Sequence, residues 1–161
     1  MGTRLTSWVE RRSGGKYEQI DRPDLFLSFE PFAPPNYGVY AFLAGVRNYA
    51  GITPLSAPRG LPDDVRESVS KRYYSYPDVL HSASWFLVSE LAEVDYCEVI
   101  EDRRERRVGS DRADFYQTNN TVALGKGEQM TLREFLGAEF FLDLDALTAC
   151  NADRIVFWFE L

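Results

Sequence analysis

The stretch His81-Ser82-Ala83-Ser84-Trp85-Phe86-Leu87-Val88-Ser89-Glu90-Leu91-Ala92-Glu93-Val94 holds the only histidine of the chain, together with three serines and a tryptophan. Leu87, Val88, Leu91 and Val94 fall at i, i+1, i+4 and i+7, which puts them on one side of a helix. Asp78, Ser82 and Ser84 are candidate N-caps, so the spacing predicts a first turn near His81. Backbone N–H groups at a helix start lack partners and carry partial positive charge. Serine hydroxyls and an imidazole there add movable donors, and together they would form a seat for an anion or a nucleotide. The alternative is that the serines only cap the helix and the histidine packs against its neighbours.

Upstream, Thr3 to Arg11 alternates, with Leu5, Ser7 and Val9 facing one way and Arg4, Thr6 and Trp8 the other, as in a strand. Ser13-Gly14-Gly15-Lys16 reads as a turn, and Tyr17 to Ile20 returns as the second arm of a hairpin. Asp21 to Pro35 is an irregular loop rich in Pro and Phe. Asn36 caps an expected helix over Tyr37 to Asn48 that is apolar all round and therefore central. Gly51 to Pro62 is a stiff loop carrying Arg59, and Asp63 to Tyr74 a short polar helix. Downstream, Cys97 to Val108 starts as a strand and runs into Glu101-Asp102-Arg103-Arg104-Glu105-Arg106-Arg107. Its alternating signs fit a solvated hairpin arm better than a nucleic-acid patch. Ser110 to Asn120 reads as a loop. Thr131 with Glu134 has capping-box spacing, and Phe140 to Ala149 is helical. Ile155-Val156-Phe157-Trp158-Phe159 is apolar on both faces, as an interior strand would be. The fold expected is α+β in a single domain over 1–161. A mainly antiparallel sheet, built from the N-terminal hairpin and the C-terminal strand, would have helices packed on one face.

The 161 residues are 45% hydrophobic and 14% aromatic, enough for one sizeable core. A net charge of −7 repels phosphate backbones and argues against nucleic acid as a partner. The two cysteines, Cys97 and Cys150, lie far apart and make neither a disulfide framework nor a zinc knuckle. Met1-Gly2-Thr3-Arg4 leads into an amphipathic stretch, so no signal peptide is expected, and no apolar run approaches the roughly 20 residues of a membrane span. The expected place is the host cytoplasm, with no membrane partner.

One histidine and two separated cysteines do not supply a transition-metal site, and no cofactor is expected. Asp143 and Asp145 are two apart in a helical segment and do not face each other. No Gly-x-Ser-x-Gly elbow, GxGxxG or P-loop occurs, and Gly125-Lys126-Gly127 is only a turn. What does gather is cationic and aromatic. Arg47 and Asn48 stand at a helix end, Arg59 in the Pro-rich loop, and His81, Ser82, Ser84 and Trp85 at the expected helix start. Arg4 joins them if the first strand runs beside that helix. Guanidinium groups grip phosphate through paired bonds, and aromatic rings stack on bases. Alternatively, Arg47 and Arg59 simply pair with surface carboxylates.

The order of motifs resembles a family of small bacteriophage proteins that open with MGCDIH. They continue through an L-A-D-V-R-N helix, an R-G-L-P loop and an H-S-H-S-W helix to a terminal F-W-F-D strand. Here stand Met1-Gly2 with Val9-Glu10-Arg11, Asn36-Tyr37-Gly38, Leu43-Ala44-Gly45-Val46-Arg47-Asn48, Arg59-Gly60-Leu61-Pro62, His81-Ser82-Ala83-Ser84-Trp85 with Glu90-Leu91, and Phe157-Trp158-Phe159-Glu160. Arg4 replaces a family Asp, Thr6 a family His, Gly38 and Gly45 two further Asp, and Ala83 the second His. The resemblance implies a branch that has lost groups able to bind a metal or move protons, with the local field reversed towards anions.

The leading expectation is a phage protein that binds a small anionic ligand without cleaving it, with no catalytic residue. A nucleotide signal of host immunity is the natural candidate, which would make the protein a sequestering anti-defence factor. A homodimer or larger assembly fits such a role. The alternatives are a phosphodiesterase or other hydrolase using His81, and an inhibitor of a host protein acting through its acidic surface.

Overall fold

A computed structural model of the chain describes residues 2–104 and 127–161. The loop expected over Ser110 to Asn120, the charge run beyond Arg104 and the Gly125-Lys126 part of the expected turn lie outside the described residues. The fold is α+β, with antiparallel pairing throughout both sheets. The chain divides into two compact units: Met1–Pro34, Pro58–Val94 and Glu139–Leu161 form the first, Pro35–Ala57 and Asp95–Ala138 the second.

The first unit is built on a four-stranded sheet. Strands β1 (Arg4–Ser13) and β2 (Lys16–Gln19) form the expected hairpin, closed at Gly14 and Gly15, whose φ of 57° and 79° suit glycine. β3 is Leu80–Leu87 and β6 is Arg154–Glu160, and the spatial order is β2-β1-β6-β3. β6 therefore lies between two neighbours, and Arg154 to Phe159 are all buried, as its two-sided apolar run predicts. On one face Trp158 packs against Trp8 (ring centroids 4.0 Å apart), Tyr73, Val69, Leu80 and Ala83. Val69 and Tyr73 come from helix α2 (Glu67–Tyr74), which starts four residues later than the sequence suggests. The other face carries Leu5, Phe157, Phe159 and Phe86, all fully buried. Over it runs the Asp21–Pro35 loop, held where Ser7 donates its hydroxyl to the carbonyl of Pro31 (2.9 Å) and its N–H to Glu30 (3.2 Å). Helix α5 (Ala138–Ala149) anchors the same loop by stacking Phe140 on Phe32.

The helix expected to start at His81 is not there. Residues 80–87 are strand β3, and only Val88–Ala92 form a short helix, α3. Asp78, Ser82 and Ser84 are consequently not N-caps, and the anion seat at a helix start does not form. The cause is a bulge. His81 pairs with Phe159 and Ser84 with Phe157, so Ser82 and Ala83 together oppose Trp158. Ser82 takes a φ of 54° to make the extra residue fit. The bulge reverses the parity of the strand, so His81 and Trp85 project from opposite faces.

In the second unit, Asn36 caps α1 (Tyr37–Ala44), its side chain accepting from the N–H groups of Gly38 (3.0 Å) and Val39 (3.2 Å). Gly45, in the left-handed region at φ 70°, ends that helix four residues earlier than expected. β4 (Val99–Asp102) pairs with β5 (Glu128–Thr131), so the described part of the charge run begins in a paired strand, but it is not the solvated arm expected: Asp102 is buried, held by Arg104 at 2.7 Å, and Glu101, Arg103 and Arg104 are half-buried. Thr131 then caps α4 (Leu132–Leu136), accepting from Glu134 N–H at 3.1 Å. No helix among the described residues is long and apolar enough to cross a membrane.

Candidate functional site

The residues singled out in the sequence separate into groups. Arg47 and Asn48 lie in the second unit, past the end of α1. Arg47 donates to the Tyr49 hydroxyl (3.0 Å) and lies over the Tyr37 ring. Asn48 ties down its own loop by bonding both the carbonyl and the N–H of Ile52 (2.7 and 3.1 Å). The other six lie in the first unit. Arg4 is exposed at the start of β1, not beside a central helix, and β6 intervenes between β1 and β3. His81 and Ser82 touch at the bulge, Nδ1 lying 3.0 Å from the serine Oγ, and the imidazole stacks on Phe159.

Arg59, Ser84 and Trp85 do converge. The N–H of Arg59 donates to Ser84 Oγ (3.1 Å), its guanidinium to the carbonyl of Trp85 (3.2 Å), and Gly60 N–H to the carbonyl of Ala83 (2.8 Å). These bonds pin the Arg-Gly loop to the outer edge of β3. The Arg59 guanidinium also takes a two-pronged grip on Glu90 (2.9 and 2.8 Å). The hydrogen bond from Arg59 holds the Glu90 carboxyl below its usual range; burial opposes this, and the bond from Leu87 N–H (2.8 Å) adds to it. The charge of Arg59 is therefore met inside the protein.

Its aromatic contact leads further. Arg59 lies 4.9 Å from the Trp85 ring centre, Arg154 lies 6.0 Å from the same ring, and Arg154 lies 3.6 Å from the Tyr17 ring. Cation and ring alternate from Arg59 through Trp85 and Arg154 to Tyr17, each cation attracted by the ring quadrupoles. Arg154 is held in this ladder by two carboxylates, Glu10 at 2.7 Å and Asp64 at 2.6 Å. Glu10 and Arg154 are cross-strand partners, and both are buried. Burial alone would weaken the protonation of Arg154, but the bonds to the two carboxylates outweigh it and raise its pKa. The Arg154 bond in turn holds the Asp64 carboxyl low.

The ladder ends at an open cleft of about 560 Å³, which Tyr17 lines. Its floor is apolar, including Leu87 and Val88, and its rim carries Arg12, Ser89, Asn151 and Asp153. Asp153 is committed, accepting from the backbone N–H of Arg12 at 2.7 Å. Arg11, the neighbour of Arg12, turns away to the carbonyls of Cys150 and Asn151 and fixes the turn that forms one wall. The guanidinium of Arg12, the hydroxyl of Ser89 and the side-chain amide of Asn151 form no hydrogen bond with a described residue. A volume of this size suits a small molecule. One guanidinium, one ring and two uncommitted polar groups can orient a ligand that carries an anion and a flat ring. Reading along the chain missed this cleft because the Arg12–Tyr17 hairpin, Ser89 and Asn151 come from three separate stretches, joined only by the pairing of β6 with β1 and with β3. The available signal was Arg11-Arg12, two cations closing an otherwise alternating strand. Among the described residues no group of three His, Cys, Asp or Glu could hold a metal ion. Compared with known proteins, the chain matches no family model, no curated protein and no solved structure.

Proposed function

We propose that the protein binds a small anionic ligand with a flat ring, nucleotide-like in chemistry, in the cleft beside Tyr17, and releases it unchanged. The observation that carries this reading is the Arg12 guanidinium, hydrogen-bonded to no described side chain and attracted only at longer range by Asp64, at a cleft that is also lined by the Tyr17 ring on which Arg154 lies. The ligand ring extends the ladder on the outer face of Tyr17, and its anion bonds Arg12. The resemblance to phage proteins extends the reading to sequestration of a nucleotide signal of host immunity. The test is a melting-temperature panel of mono-, di- and cyclic nucleotides, followed by denaturation and analysis of what was bound. Stabilisation by an intact nucleotide, weakened about 10- to 100-fold in Arg12→Ala, is the expected result, since a charge-assisted bond contributes about 1.5–3 kcal/mol. No stabilisation by any nucleotide, or equal binding by Arg12→Ala, overturns the reading.

A second reading rests on the His81–Ser82 contact. A hydroxyl 3.0 Å from an imidazole nitrogen, on a residue held at positive φ, would be activated as a nucleophile in the tautomer whose Nδ1 accepts its proton. It predicts hydrolysis of an activated ester or phosphodiester that is abolished in both His81→Ala and Ser82→Ala and unchanged in Arg12→Ala.

A further inference from the structure

The cleft beside Tyr17 has few ways to meet charge, and that narrows the ligand. Among the described residues that line it, Arg12 is the one cation and Asp153 the one carboxylate. Asp153 is fixed there because its Oδ2 accepts from the backbone N–H of Arg12 at 2.7 Å. Behind the ring, Arg154 is set against two carboxylates, Glu10 and Asp64, and Asp64 also attracts Arg12. Arg11 donates to the carbonyls of Cys150 and Asn151. Cations and carboxylates balance among these groups, so they leave no surplus of positive charge, in a chain of net charge −7.

The backbone does not make up the difference. Sites for di- and triphosphates wrap the phosphates in unpaired N–H groups or enlist a metal ion. Here the N–H groups of the wall are used inside the protein. Val88 donates to the carbonyl of Asp153 (2.9 Å), Asp153 to that of Glu10 (2.9 Å), Asn151 to that of Thr148 (3.0 Å) and Ala152 to that of Leu147 (3.0 Å). The Thr148 hydroxyl is also taken, donating to the carbonyl of Leu144 at 3.3 Å. What remains for an anion is one guanidinium and two neutral groups, the Ser89 hydroxyl and the Asn151 amide. The cost of taking a phosphate out of water grows as the square of its charge. Attraction to a locally balanced site does not grow to match.

We infer, building on the ligand reading above, that the cleft takes a phosphate with a single negative charge, a phosphodiester, and discriminates against the monoesters, diphosphates and triphosphates of the same nucleoside. Arg12 bonds the two free oxygens of the diester as a pair, and Asp153 sets the specificity by repelling a second phosphate charge. The test is calorimetric titration of the full chain with matched ligands: the 5′-monophosphate of each common ribonucleoside, its methyl ester and the triphosphate. Methyl ester and monophosphate share base, sugar and phosphorus and differ in charge. The methyl ester is expected to bind about tenfold tighter than the monophosphate, and the triphosphate more weakly than either. Asp153→Asn keeps an oxygen for the Arg12 N–H and removes the charge, so the gap is expected to shrink to about threefold or less. A monophosphate or triphosphate that binds as tightly as the methyl ester overturns the inference and leaves the ligand reading standing. So does an undiminished gap in an Asp153→Asn variant that melts as the wild type does. Binding by none of these ligands overturns the ligand reading and this inference together.

Discussion

Replacing Arg154 by methionine isolates the polar heart of the first unit. Arg154 is 3% exposed and Glu10 0%, and they face each other across the β1–β6 ladder with Nε and Oε1 2.7 Å apart. Without the guanidinium, Glu10 is left in the core with no cation. One of its oxygens, Oε2, already accepts no hydrogen bond from a described residue, so none of them compensates. Breaking a buried pair on one side costs about 3–5 kcal/mol. Asp64 also loses its partner, but its side chain is 62% exposed and water replaces the bond at little cost. The Tyr17 and Trp85 rings lose a cation as well, adding a smaller loss. A chain of this size has about 5–15 kcal/mol in total and moves about 2–4 °C per kcal/mol, so the melting temperature should fall by about 6–20 °C. Urea unfolding followed by circular dichroism measures the change directly. The decisive companion is Glu10→Met with Arg154→Met, which removes both charges and should recover most of the loss, because a well-packed apolar pair often equals a buried ion pair. A loss below about 1 kcal/mol in the single variant, or a double variant no better than it, refutes the reasoning.

Three further outcomes follow from local geometry. Asp143 is 1% exposed, and burial raises its pKa despite the bonds it accepts from the N–H groups of Phe32 (2.8 Å) and Leu27 (3.5 Å). A raised carboxyl pKa means that the folded state holds the proton more tightly. The contribution of Asp143 is then most favourable below its unfolded value near 3.9 and declines as pH rises through the folded value. The stability of the wild type relative to Asp143→Asn, measured by urea unfolding from pH 4 to 7, should therefore increase as pH falls. Glu90 has the opposite sign: its carboxyl is held low by Arg59, so its contribution is present above the unfolded value and lost as pH falls through the folded one. Glu90→Gln should cost no more than about 1 kcal/mol at neutral pH, because the pair is partly solvated, and the gap should close on acidification. Asn36→Ala removes the cap of α1 and its bond to the carbonyl of Leu136 (3.2 Å), and should lower stability by about 1–2 kcal/mol in the same denaturation assay.

The sheet was legible wherever one face alternates or both are buried. Leu5, Ser7 and Val9 fixed the orientation of β1, and the run Ile155 to Phe159 marked β6 as interior. The caps at Asn36 and Thr131 were legible because their side-chain chemistry is local. The stretch from His81 was misread for a definite reason. A strand reveals itself by a period of two, and the bulge at Ser82 and Ala83 breaks that period in the middle. What remained in view was the helical spacing after Leu87, which is real only for the single turn Val88–Ala92. Arg59, Ser84 and Trp85 were brought together as expected, although along a strand edge and with Glu90 as the unforeseen partner of Arg59. The ladder to Tyr17 was illegible because it depends on register: Glu10 meets Arg154 only when β1 and β6 pair in this alignment. A lone acid in the buried part of one strand and a lone base opening another apolar strand were the trace it left.

Mapping backbone amide shifts as a nucleoside monophosphate is titrated into the full chain tests the central claim most directly. The account predicts saturable changes centred on Tyr17, Ser89 and Asn151, shifted to about 10- to 100-fold higher concentration in Arg12→Ala. Changes centred instead on His81 and Ser82, or none at any nucleotide concentration, would contradict it.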